Sequence, residues 1–179
     1  MTTTDIHTYR TKLSLINASD LVDVHQLHSL PETDYYNTLG IPEDLDATKV
    51  IMKTWLAEHQ LETITNYTFK ITEKRNQQFL GLFGFKLWPN KHRRGEVWFK
   101  VHPNYWNKGY ATEVLSAMIT FGFDTLNLHR IQARCAVDNH ASRKVLEKVG
   151  MIKEGRGREI LPLKSGWSDN FEYAILVTD

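Results

Sequence analysis

The sequence predicts an α/β fold, a mixed but mostly antiparallel seven-stranded sheet flanked by about four helices, and three observations carry that prediction. Three β-rich runs, "YTFKITE" (67–73), "FLGLFGFKLW" (79–88) and "EVWFKVH" (96–102), follow one another across short polar turns, which is the pattern of an antiparallel meander. At Gly109 the period changes: Ala111, Val114, Leu115, Met118, Phe121 and Gly122 recur at helical spacing, and "RIQARCAV" (130–137) returns to a strand. A strand, helix, strand unit of that length implies one parallel pairing inside the antiparallel sheet. No repeat, low-complexity tract or Pro/Gly/Ser-rich linker interrupts the chain, so residues 1–179 read as a single domain.

The elements follow in order. "TYRTKLSLI" (8–16) reads as a first strand, and Ser19-Asp20 supplies an N-cap for a helix carrying Leu21, Val24, His25 and Leu27, which Pro31 ends or kinks. A second helix covers roughly 47–60, with Val50, Ile51, Thr54, Trp55 and Leu56 as its apolar stripe. After the meander, the long helix and strand 130–137 comes "NHASRKVLEKVG", a helix with Gly150 as its C′ residue. Two last strands are expected at about 151–161 and 171–177, with "LPLKSGWSDNF" (161–171) as the last hairpin.

Composition excludes several classes of function. Twenty-two Lys+Arg against 21 Asp+Glu leave a formal charge of +1, without the basic excess that nucleic acid or a membrane surface selects. The start, "MTTTDIHTYR", has no apolar leader core, and no stretch approaches the roughly 20 apolar residues of a membrane span. Cys135 has no partner for an intramolecular disulfide, which fits a reducing compartment, so the expected location is the cytoplasm and the sequons at Asn17 and Asn66 read as chance. His25 and His28 stand three apart on a helix, but no carboxylate or Cys cluster completes a metal site, and no metal is expected. "NKHRRGE" (90–96) is explained by a solvated hairpin turn without any nucleic-acid partner.

The segment "NYWNKGYATEV" (104–114) stands at the joint between a strand and the long helix. There the first free N–H groups of the helix point outward with the positive end of its dipole behind them, and Gly109 allows close backbone approach, the makings of an anion cradle. Gly109 serves a tight turn equally well. No Walker loop and no dinucleotide-binding glycine motif occurs anywhere.

With its flanks the segment is more specific. "VHPNYWNKGYATEVL" (101–115), followed by "NHASRKVLEKVGMIKEG" (139–155), resembles the GNAT N-acetyltransferase family, and especially its branch of ribosomal-protein N-terminal acetyltransferases. The resemblance implies the GNAT acyl-CoA N-acyltransferase fold and acetyl-CoA as the acetyl donor, held by the loop Trp106-Asn107-Lys108-Gly109-Tyr110-Ala111. Trp106 departs from the Gln/Arg of the general family loop but matches this branch; Asn107 replaces a frequent Gly and requires a φ that suits Asn. Val101 is implied to pair with the pantetheine arm as an added strand, and the N–H groups from Asn107 to Thr112 to take the pyrophosphate, with Lys108 adding charge. Asn139 either bonds the pantetheine or N-caps its helix, and Arg143 or Lys144 approaches the CoA phosphates.

For the chemistry, the resemblance points to Glu96 as base, since the histone-acetyltransferase branch carries a glutamate on that strand, and to Ser142 near the CoA sulfur. Each has a plainer reading, a solvated strand-end carboxylate and a small residue that lets CoA pack. Glu159 is a second candidate base, and Leu146 stands where many members carry a Tyr acid. At pH 7, neutralising a Lys costs roughly 4.6 kcal/mol and an α-amine only about 1 to 1.4, so an α-amine acceptor needs little base. Cys135 shares strand alternation with Ile131, Ala133 and Val137 and reads as a buried hydrophobe rather than an acetyl carrier.

The acceptor groove is expected between the first helical segment, "YYNTLGIPED" (35–44) and the last hairpin. Tyr35, Tyr36, Trp88, Trp98 and Trp167 are candidates to line it, and Glu32, Asp34, Glu43 and Asp44 to attract a cation. The partners are therefore acetyl-CoA and an amine, a protein N-terminus or a small molecule, with a homodimer as a further expectation. The alternative is a GNAT-fold module that binds or senses CoA with little turnover.

Overall fold

The computed structural model describes residues 5–179; residues 1–4, part of the start read for a leader, lie outside them. One sheet of eight strands, β1 (Ile6–His7), β2 (Thr11–Leu15), β3 (Asn66–Glu73), β4 (Phe79–Leu87), β5 (Arg94–Val101), β6 (Arg130–Ala136), β7 (Ile152–Leu163) and β8 (Gly166–Leu176), runs in the order β1-β2-β3-β4-β5-β6-β8-β7. Five helices pack on it: α1 (Leu21–His28), α2 (Pro31–Asp34), α3 (Leu45–Glu58), α4 (Tyr110–Thr120) and α5 (His140–Lys148). Every pairing is antiparallel except β5 with β6. The α/β class, the meander β3-β4-β5 and the parallel crossover through α4 are thus as the sequence predicts.

The counts differ from seven and about four for local reasons. The expected strand at 8–16 is broken by a turn in which the Thr8 N–H donates to the Thr11 carbonyl, and Ile6–His7 pairs back as a separate strand. Asp20 stands at the N-cap position of α1 as expected, but its side chain makes no cap bond there; it accepts from Asn17 N–H while Asn17 accepts from Ser19 N–H, closing a reciprocal box around the 3₁₀ turn Ala18–Asp20. Pro31 opens α2 instead of kinking α1, since a missing N–H is harmless at the first helical position. Asp44 caps α3 by accepting from Ala47 N–H, so that helix starts at Leu45. The last hairpin is longer than expected: both final strands run on through the 161–171 segment, and only Lys164-Ser165 link β7 to β8.

The sheet's two faces carry separate cores. Val114, Leu115 and Met118 of α4 and Leu146 of α5 pack with Phe83, Phe85, Val97 and Ile131 on one face. On the other, Val24 and Leu27 of α1 and Met52 of α3 close over Phe79 and Leu82. Each such Leu or Phe contributes about 1.5–3 kcal/mol by leaving water, so Phe83→Ala, which also opens a void, costs about 3–5 kcal/mol. Strand alternation sends Val97 to the first face, whereas Trp98 and Lys100 meet Trp55 and His28 of the helices on the second.

Candidate active site

The loop between β5 and α4 is built around two left-handed residues. Asn107 has φ +59° and Gly109 φ +80°, ψ 0°. Asn is the residue other than Gly that tolerates this region, which accounts for Asn107. The chain reaches this turn over a short 3₁₀ turn, Pro103–Tyr105, and the Trp106 indole donates back to the Val101 carbonyl at 2.6 Å. Trp106 therefore locks the loop onto the end of β5, and the Val101 carbonyl already has one partner. Among the described residues, no backbone N–H from Asn107 to Thr112 donates to a protein acceptor. Six unpaired donors at and just before a helix N-terminus suit a pyrophosphate.

Arg10 fixes this cradle from behind. Its Nη1 donates to the Lys108 carbonyl at 2.9 Å and its Nε to Glu113 at 2.7 Å, and its guanidinium lies 4.2 Å from the centroid of the Tyr110 ring. The Arg10 N–H and the Thr8 hydroxyl donate to the same carboxylate, at 2.7 and 2.5 Å. Burial alone raises the Glu113 pKa, but these hydrogen bonds outweigh it and hold the carboxyl below its ordinary range. Tyr110 packs and donates to Glu73. The Lys108 ammonium sits 5.6 Å from the centroid of the Tyr105 ring.

Beside the loop, the sheet opens. β5 and β6 pair only from Arg94↔Arg130 to Val97↔Ala133, although β5 continues to Val101 and β6 to Ala136. A cavity of about 470 Å³ fills the gap, and Glu96, Ser142, Asn139 and Cys135 all line it. Asn139 is the N-cap of α5, its side chain accepting from Ser142 N–H at 3.0 Å. Glu96 accepts from Arg134 at 2.8 and 3.1 Å and from Gln132 at 3.3 Å. Burial pushes the Cys135 thiol up to about 11, the property of an inert core residue. Arg143 turns onto the fold, toward the Val137 carbonyl at 3.4 Å and over the Phe171 ring at 5.0 Å, rather than toward the loop. Glu159 occupies a bulge of β7 at φ +49° and does not line the cavity; its neighbours Ile160 and Leu161 do.

Of the aromatic residues expected in the acceptor groove, Tyr36 and Trp98 line the cavity, and Trp55 joins them. Trp98 lies flat across Gly84, where any Cβ would stand 1.9 Å from its indole nitrogen, so only glycine fits there. Tyr35 and Trp167 are exposed, and Trp88 stacks under Arg94 away from the cavity. Tyr36 donates to the Asp138 carbonyl at 3.0 Å and ties the α2 segment to the start of α5.

Sequence reasoning missed the innermost pair. Lys100 is 6% exposed and His28 2%, and Lys100 Nζ lies 3.2 Å from His28 Nδ1. Burial pushes the Lys100 ammonium down to about 8, opposed by the Asp34 charge. Burial, then the charges of Lys100 and His25, push His28 down to about 3. A lysine in a strand reads as solvent-facing, but its parity with Trp98, together with His28 one turn after Val24 on the apolar stripe of α1, is the signal that places both inside.

A family model described as an acetyltransferase (GNAT) domain matches residues 10–152. The chain belongs to the GNAT family. The GNAT match covers the loop, the splayed strands and α5. An uncharacterized N-acetyltransferase of Bacillus subtilis, YoaA, is 29% identical over 171 residues, 96% of each chain. Among solved structures, spermidine N-acetyltransferase from Vibrio cholerae in complex with CoA and spermine superposes with a TM-score of 0.83, 21% identity and coverage of 94% of this chain and 96% of that one. RimL, a ribosomal L7/L12 alpha-N-protein acetyltransferase in complex with coenzyme A, gives a TM-score of 0.87 at 17% identity, covering 97% and 98%. This GNAT chain is an acetyl-CoA-dependent N-acetyltransferase. Among the described residues, no three His, Cys, Asp or Glu side chains are grouped to hold a metal, and no helix is long and apolar enough to cross a membrane.

Proposed function

We propose that this enzyme moves the acetyl group of acetyl-CoA to a primary amine, a protein N-terminal α-amine or a small-molecule amine, by direct attack within a ternary complex. The observation that carries the reading is the run of free N–H groups from Asn107 to Thr112 opening beside the splayed strands. Those donors, with Gly109 and Lys108, hold the pyrophosphate; Val101 and Asn139 flank the pantetheine arm, and the loop ends Trp106, Tyr110 and Ala111 shape the cradle. Arg143, engaged with Val137 and Phe171, contributes to holding α5 and leaves the exposed Lys144 as the candidate for a phosphate contact.

In the transfer step the amine nitrogen attacks the thioester carbonyl, the C–S bond breaks, and the amine's proton must leave. In this reading Ser142 donates a hydrogen bond to the departing thiolate, and Glu96 receives the proton; both residues line the cavity. The Arg134 and Gln132 bonds to Glu96 oppose that second role, which is tolerable for an α-amine because it needs little base. The single buried cysteine suits the cytoplasm, and the continuous sheet from β1 to β8 supports one domain over 1–179.

The test is amine-stimulated release of CoA thiol. Glu96→Gln and Ser142→Ala are expected to lower kcat by tenfold or more at unchanged acetyl-CoA affinity. Full turnover in both variants removes the two catalytic roles.

A further inference from the structure

The ionisable side chains that line the cavity leave it one unbalanced charge. Glu96 and Arg134 face each other at 2.8 Å and cancel. His28 is held neutral, Cys135 is a thiol and Tyr36 a phenol. Lys100 remains. Its ammonium is almost fully buried, its one partner is the His28 ring, and among the described residues no carboxylate stands within ion-pair distance of it. At pH 7 a lysine titrating near 8 is about nine-tenths protonated, so the wall of the cavity is cationic. Asp34, the acid that acts on Lys100 from a distance, lines a separate recess with Pro31 and Ile41.

Two residues that line the cavity also hold buried polar atoms without a partner among the described residues. His28 Nε2 has none, and Asn170, 0% exposed and lining the cavity, has none at either its amide oxygen or its amide nitrogen. Buried polar atoms are nearly always bonded, so each of these calls for a partner. An apolar acceptor leaves these groups unsatisfied. A polyamine adds at least one more ammonium beside Lys100, a like-charge contact in a poorly solvated site. A carboxylate supplies the missing charge and an acceptor for Lys100 and for the free N–H groups of His28 and Asn170.

We propose that the acceptor is a primary amine that also carries a carboxylate, and that Lys100 is the residue that receives this carboxylate. The inference rests on the acetyl-transfer reading above and deepens it. Lys100 then sets specificity by excluding polycations, and its charge also favours the neutral, nucleophilic form of an amine bound nearby. The carboxylate has two chemical sources, the α-carboxylate or side chain of a free amino acid, or an acidic side chain close behind a peptide N-terminus.

Thiol release with matched amines tests this. The panel sets L-alanine against L-alaninamide, L-glutamate against L-glutamine, a peptide beginning Ser-Glu against one beginning Ser-Gln, and spermidine alone. In at least one pair the carboxylate member is expected to show a kcat/KM at least tenfold higher than its amide, and higher than spermidine; which pair it is tells free amino acid from peptide. Lys100→Met is expected to reduce that preference to threefold or less, and Lys100→Arg to retain most of it, with acetyl-CoA binding by calorimetry as the check that both variants fold. Equal or better rates with the amides or with spermidine overturn the proposal, as does a preference that survives in Lys100→Met. Acetyl-CoA binding with no thiol release for any amine overturns the transfer reading itself, and the carboxylate assignment falls with it.

Discussion

Arg10 and Lys108, 98 residues apart in sequence, meet through a 2.9 Å hydrogen bond from the guanidinium to the backbone carbonyl. The bond pins a cradle residue to the turn before β2 and so fixes the orientation of the Lys108–Gly109 peptide, whose N–H has no acceptor among the described residues. Pre-setting a loop in this way lowers the ordering cost of binding. Arg10→Ala is expected to weaken acetyl-CoA binding about three- to tenfold by calorimetry, with kcat at saturation little changed.

At Gly109 the constraint is conformational before it is steric. A Cβ there would meet only an Arg10 nitrogen, at 3.4 Å, yet φ is +80°. Gly109→Ala therefore costs about 1–2 kcal/mol of local strain, seen as a lower melting temperature. Gly109→Glu adds a carboxylate against the phosphates and is expected to abolish micromolar acetyl-CoA binding. Asn107→Gly, by contrast, leaves binding within about twofold, because φ +59° suits both residues.

Lys100 and His28 make stability depend on pH in a definite direction. The folded pKa of Lys100 lies near 8, below its unfolded value, so from pH 8 to about 10.5 the unfolded chain holds the extra proton and stability rises with pH. His28, lowered from 6.5 to about 3, behaves alike over its own window: stability is lost as pH falls from 6.5 toward 3. Lys100→Met removes the first dependence and is expected to stabilise the fold at pH 7 by up to ~3 kcal/mol, the value of a shift of this size. Urea titrations at pH 5, 7 and 9 measure both slopes.

Cys135 is expected to alkylate slowly. A thiol raised from 9.0 to about 11 by burial carries roughly one hundredth of the ordinary thiolate at pH 8. Its rate with iodoacetamide in the folded protein should fall about 100-fold below that in urea, and further with acetyl-CoA bound beside it. Rapid labelling of the folded enzyme contradicts this placement.

The sequence was most informative where one period ruled. The alternation of β3 to β5 and the helical stripe of α4 are uninterrupted, and so the meander, the parallel crossover and the loop between them were readable from residue types. The final hairpin was not, because register shifts at Lys153/Gly155 and Gly157/Leu161 break the alternation that marks a strand. Arg10 gave no local sign of its work, since its partners lie about a hundred residues away. Lys100 was hidden by its own chemistry: a charged strand residue reads as outward until a helix is known to cover it.

The divergence of β5 and β6 has a kinetic meaning as well. Residues 94–97 are bonded to strands on both sides, whereas 98–101 keep β4 on one side and face the gap on the other. Backbone amides that point into the gap are therefore open to solvent deuterium in the free protein, on the fast end of the exchange scale, while those a few residues earlier wait for larger openings. A ligand lying along the gap completes the sheet from outside the chain. It should slow exchange at 98–101 more than anywhere else in β5, so that a strand half unpaired on one side becomes protected along its length when the donor is bound.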